Sequence, residues 1–167
     1  MEYIRKATPA DAKRISFIAE QCWWLASGDP AAQKKITRTV YELYSHGRLT
    51  TEIKNNTSVF LLVIDGELPV AFTSYTLKDN DGIASELNAL YCLPETQGKR
   101  FDELLINEVI KNTIAEGGNK IFVVMTNYSG SVGLFERLGF EPHQLSNLDK
   151  SKPDVLVMSK NLLTHKK

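Results

Sequence analysis

Apolar residues change their spacing several times along the chain, and each change marks an element. Tyr3-Ile4-Arg5-Lys6-Ala7 reads as a short opening strand. Thr8-Pro9-Ala10-Asp11 then has the form of a helix start: a hydroxyl cap, proline at the first helical position, and a carboxylate three residues after the cap. Ala12, Ile15, Ile18-Ala19, Cys22 and Leu25-Ala26 continue at helical spacing until Ser27-Gly28-Asp29-Pro30 breaks the pattern. A second helix is predicted from about Ala31 to His46, with Ile36, Val40, Leu43 and Tyr44 on one side and Gly47 as terminator.

From Thr57 the spacing turns strand-like. Ser58 to Ile64 is β-branched and apolar, Asp65-Gly66 is a hairpin signal, and Val70 to Leu77 is the return strand. Lys78 to Gly82 forms the next turn, and Ile83 to Leu93 closes a meander. Leu87, Ala89, Tyr91 and Leu93 share one face of that strand while Leu90 and Cys92 make the other apolar, as suits a strand covered on both sides. After Pro94, the loop Glu95 to Arg100 leads into a helix carrying Phe101, Leu105, Ile106, Val109 and Ile110, which Gly117-Gly118 ends. Lys120 to Met125 is a wholly apolar strand, expected to run parallel to its predecessor because a helix joins them. Val132, Phe135 and Leu138 line a short helix capped by Gly139, Phe140 starts a strand, and Val155 to Met158 closes the series.

Composition narrows the class. The 167 residues are 43% hydrophobic, enough for one packed domain covering 1–167 and short for two. Twenty basic and twenty acidic side chains cancel, so nothing draws the chain toward nucleic acid. No apolar run approaches the roughly 20 residues of a membrane span, and the charged N-terminus does not read as a signal peptide. Cys22 and Cys92 read as buried free thiols of a reducing compartment, so a cytoplasmic location is expected. His46, His143 and His165 are scattered, and no metal-ligand spacing emerges.

Two stretches carry chemistry. A strand, a loop and a helix start in LYCLPETQGKRFDELLINEV aim several backbone N–H groups at one place, a natural seat for a phosphate-bearing cofactor. This text resembles the cofactor-binding motif of the GNAT acyltransferase superfamily, Q/R-x-x-G-x-G/A after a strand and before a helix that begins with LL. Gln97, Gly98, Lys99, Leu104 and Leu105 match; Arg100 and Asp102 stand where the family has its two glycines. Downstream, Asn127 to Pro142 is similar to the family's N-x-x-A-x-x-(F/L)-Y-E-K-x-G-F: Glu136, Arg137, Gly139 and Phe140 fit it, and Phe135 stands in place of the usual tyrosine.

The resemblance implies an α/β (α+β) fold of the GNAT N-acyltransferase type: a mixed, mostly antiparallel sheet of six or seven strands flanked by four helices. It implies acetyl-CoA as co-substrate, without metal, and transfer of acetyl to a primary amine of a small molecule or peptide. Leu90, Tyr91 and Cys92 would run beside the pantetheine arm. Gln97, Gly98, Lys99, Arg100, Phe101 and Asp102 would surround the diphosphate, and Asn127 and Phe135 would border the arm. Glu86 is the implied base. Trp23, Trp24, Tyr41 and Tyr44 are candidates for the acceptor pocket, against the alternative of core and rim aromatics. No nucleic-acid or membrane partner is implied, and a homodimer is allowed. The departures at Arg100, Asp102 and Phe135 support a second reading: a GNAT-fold binding or regulatory module that has lost transfer activity.

Overall fold

The structure, a computed structural model, describes residues 2–27, 38, 41–79, 82–126, 132–142 and 155–162. Strand β1 (Glu2–Lys6) leads into a capped helix start. Asp11 Oδ2 accepts from the Thr8 amide at 2.7 Å, and the Arg5 guanidinium forks onto both oxygens of Asp11 at 2.8 and 2.9 Å. One turn of 3-10 helix, Pro9–Asp11, then passes into α1 (Ala12–Ser27), as the cap and proline predict.

The predicted second helix lies largely outside the described residues, although Arg38 and residues 41–44 are helical. Its predicted end is corrected. Gly47 does not terminate a helix; it sits in the first turn of α2 (His46–Asn55), which follows Ser45 as N-cap. The Ser45 hydroxyl accepts from the Arg48 amide at 3.3 Å, and Asn56 closes the helix in the left-handed conformation at φ 54°.

Strands β2 (Val59–Asp65), β3 (Leu68–Asp79), β4 (Ile83–Cys92), β5 (Lys120–Thr126), β6 (Glu141–Pro142) and β7 (Val155–Asn161) complete a seven-stranded mixed sheet in the order β1-β2-β3-β4-β5-β7-β6. Pairing of β1 with β2, β5 with β7 and β6 with β7 is antiparallel, and β4 with β5 is parallel, as the intervening helix α3 (Phe101–Ala115) demands. The β4–β5 register runs from Ala84 opposite Lys120 to Leu87 opposite Val123. Helix α4 (Val132–Arg137) ends at Gly139, whose φ is +89°.

The chain divides into two compact units. The first comprises Met1–Ser74 and Ala89–Ile106. Its core joins Ile15, Ile18 and Ala19 of α1, Leu49 of α2, Phe60, Leu62 and Ile64 of β2, Phe72 of β3, and Leu93. Arg14 Nε reaches the Pro69 carbonyl at 2.8 Å, and Cys22 Sγ donates to the Cys92 carbonyl at 3.2 Å, so α1 is tied to the ends of two strands. The second unit comprises Tyr75–Asn88 and Asn107–Lys167. There Val109, Ile121, Val123, Phe135, Phe140, Val157 and Met158 are buried, and Ser85 and Thr113 share a buried hydroxyl contact of 2.6 Å. No helix among the described residues is long and apolar enough to cross a membrane.

Candidate active site

The cofactor-binding stretch anticipated from the sequence forms a cavity in the first unit. It measures about 270 Å³ and is lined by Cys92, Leu93, Pro94, Thr96, Gln97, Gly98, Arg100, Phe101 and Asp102. Local forces shape it. Leu93 donates to the Val70 carbonyl at 2.9 Å, which holds the end of β4 against β3. A single 3-10 turn, Pro94–Thr96, follows, with the buried Thr96 hydroxyl turned back onto the Leu93 carbonyl at 2.6 Å. Gly98 then takes φ +89° and Arg100 φ +58°, and the reversed chain enters α3.

The amides of this loop separate into used and unused donors. Gln97 donates to Pro94, Lys99 to Thr96 and Leu104 to Arg100, at 3.1, 3.0 and 3.1 Å. Glu103 donates to the Asp102 carboxylate at 2.8 Å. Among the described residues, the amides of Gly98, Arg100, Phe101 and Asp102 have no protein acceptor. Four free donors at the start of a helix, around one cavity, are what an anion needs.

Side-chain charge in the loop is distributed less generously. Lys99 turns to Asp65 at the end of β2, at 3.0 Å, and this hydrogen bond raises the lysine pKa. Arg100 is exposed and makes no ion pair among the described residues, whereas Asp102 lines the cavity. The Cys92 thiol is pushed up to about 12, first by burial and then by the Asp102 charge; Cys22 is pushed up to about 11, chiefly by burial. Both thiols are therefore inert at neutral pH.

The other predicted site residues fall in several places. Tyr91 turns its ring into the core of the first unit, 5.4 Å from Phe72 and 6.0 Å from Tyr44. Tyr44 is buried in the same cluster, its hydroxyl pKa raised by desolvation, whereas Tyr41 is 75% exposed. Trp23 and Trp24 lie on α1, and their side chains and Asn127 are outside the described residues. Leu90 is half-buried on β4; the register with β5 ends three residues before it.

In the second unit Glu86 Oε2 is 2.5 Å from Lys78 Nζ, with 28% of its side chain exposed. Phe135 is buried, its ring edge-on to Phe140 at 5.3 Å. Sequence reasoning did not find the roles of Thr96, Asp65 and Lys78. Asp65 at the end of β2 meets Lys99 of the loop, and Lys78 of β3 meets Glu86 of β4, so each pair joins separate elements and no spacing within one segment marks it. Among the described residues no cluster of three or more His, Cys, Asp or Glu side chains offers a metal site.

Helices and a seven-stranded mixed sheet make this an α/β fold, with the cavity at the end of β4 where the loop enters α3. The sequence profile of the acetyltransferase (GNAT) family matches residues 19–140, well over half of the chain, and the protein belongs to that family. Comparison with functionally curated proteins finds no match. Among solved structures, the PaiA N-acetyltransferase from Thermoplasma acidophilum, in complex with coenzyme A, superposes with a TM-score of 0.81 at 21% identity, covering 96% of this chain and 99% of that one. Aminoglycoside 6'-acetyltransferase type Ii gives 0.71 at 16% identity, over 98% and 99%. The ribosomal-protein-S18-alanine N-acetyltransferase of Escherichia coli gives 0.70 at 13%, over 100% and 97%. At such identities these likenesses establish the fold.

Proposed function

We propose that the protein is an acetyl-CoA-dependent N-acetyltransferase acting on a primary amine of a small molecule or peptide. The observation that carries this reading is the group of four amides without acceptors, on Gly98, Arg100, Phe101 and Asp102, around the cavity where the family motif lies. Those amides and the Arg100 guanidinium suit the diphosphate of coenzyme A, which an arginine can grip with two parallel hydrogen bonds. The end of β4 at Leu90, Tyr91 and Cys92 lies beyond the residues paired with β5, and in this reading the pantetheine arm runs beside it.

Acetyl-CoA, when bound, supplies the thioester whose carbonyl carbon an amine attacks. The chain's part is to orient the reactants and accept the proton. Glu86 is the base: a carboxylate on the central strand takes the ammonium proton at Oε2 once Lys78 is displaced from it. Phe135 carries no acidic group, so a departing thiolate receives no proton from this position. A general acid is ordinarily worth about 10²–10⁴-fold, which makes the expected turnover modest rather than nil.

Calorimetric titration with acetyl-CoA tests the donor site, with micromolar binding expected. Glu86→Gln is expected to lower turnover by about 10²-fold or more with little change in donor affinity, and unchanged turnover would remove Glu86 from the base role. One observation favours the regulatory-module reading: the Asp102 carboxylate fills a helix amide that a phosphate would otherwise take. That reading predicts no acetyl-CoA binding by the natural chain and its recovery when Arg100→Gly and Asp102→Gly are combined.

A further inference from the structure

We propose that Asp102 sets the charge selectivity of the donor site, acting as an internal anion that competes with the phosphates of the thioester donor. The inference rests on the donor reading above. Its geometric basis is the 2.8 Å hydrogen bond from the Glu103 amide to Asp102 Oδ1. The third amide of α3 is thereby satisfied by the chain's own carboxylate, while the amides of Gly98, Arg100, Phe101 and Asp102 remain without acceptors. The same side chain lines the cavity, and its charge also opposes ionisation of the Cys92 thiol on the cavity wall. Among the described residues no cation pairs with Asp102: Lys99, the nearest lysine in sequence, is turned to Asp65.

A negative charge held at a phosphate subsite acts on the charged part of a donor and not on its uncharged part. Two like charges about 5 Å apart at an effective dielectric near 20 change a binding constant by on the order of a hundredfold. Arg100 offsets part of this. The site therefore binds coenzyme A thioesters less tightly than its free amides alone would allow, and it narrows their advantage over pantetheine thioesters that carry no phosphate. The donor is held with a short residence time, which suits a transferase whose product carries the same diphosphate.

The test compares the natural chain with Asp102→Asn, which keeps an oxygen to accept from the Glu103 amide and removes only the charge. Each is titrated with acetyl-CoA and with S-acetylpantetheine. Asp102→Asn is expected to bind acetyl-CoA at least about tenfold more tightly, with S-acetylpantetheine unchanged. Equal affinities for acetyl-CoA, or the same gain for both thioesters, overturn this inference and leave the donor reading standing. Where the uncharged thioester binds too weakly to titrate, the gain for acetyl-CoA must shrink as salt rises from about 0.05 to about 1 M; a salt-independent gain overturns the inference. No acetyl-CoA binding by either protein overturns the donor reading and the selectivity with it.

Discussion

Arg100 adopts φ +58°, a left-handed conformation that a side chain with a Cβ enters at a penalty of roughly 1–2 kcal/mol and that glycine enters freely. Arg100→Gly should therefore stabilise the fold by about 1 kcal/mol, seen as a higher denaturant midpoint with an unchanged slope. Asp11 offers a second residue-scale test. Its pKa lies below the usual aspartate value, first because Arg5 hydrogen-bonds it, and the Thr8 amide adds to the effect. A lowered folded-state pKa means stability that is fully present above the ordinary aspartate value of about 3.9 and is lost as pH falls toward the lower folded one. Asp11→Asn should flatten the stability curve in that acid window and leave its shape near pH 7 unchanged, as unfolding melts at several pH values would show.

At the level of elements, helix starts were read well where cap and proline stood together, as at Thr8-Pro9, and badly at Ser45. There the glycine two residues after the cap looks like a stop, and only Leu49 and Ile53 repeat at helical spacing behind it. Tertiary burial of Leu49 overrides that weak local preference. The end of α3 was legible because glycine is needed twice, for different reasons. Gly117 supplies φ +84°; Gly118 supplies space, since a Cβ there would lie 2.5 Å from Thr113 Cγ2, 2.9 Å from the Thr113 carbonyl and 3.2 Å from the Ile83 carbonyl. Gly118→Ala must push helix and strand apart and should destabilise by about 2 kcal/mol, measured by chemical unfolding.

For the molecule as a whole, a ligand that binds only the folded state must raise its stability. Acetyl-CoA at about 100 times its dissociation constant should add about 2.7 kcal/mol and raise the melting temperature in a concentration-dependent way. A melting temperature insensitive to millimolar acetyl-CoA would count against the donor site. The candidate site divides along similar lines. The cavity loop from Leu93 to Asp102 was legible because its glycine, its charges and the following helix are contiguous in sequence, so neighbouring amides converge without help from distant segments. The engagement of Lys99 by Asp65, of Glu86 by Lys78, and of Tyr44 and Tyr91 by each other was not, because each joins residues from separate elements.

The sequence by itself determined the family, the strand and helix order over most of the described chain, and the loop that collects free amides. Periodicity, capping and turn chemistry are local, and local rules suffice for them. Only the tertiary structure decided which charges remain free beside that loop and which aromatic side chains are core. A side chain's partner is set by the sheet register and by packing between elements, and neither is written in the spacing of any one segment.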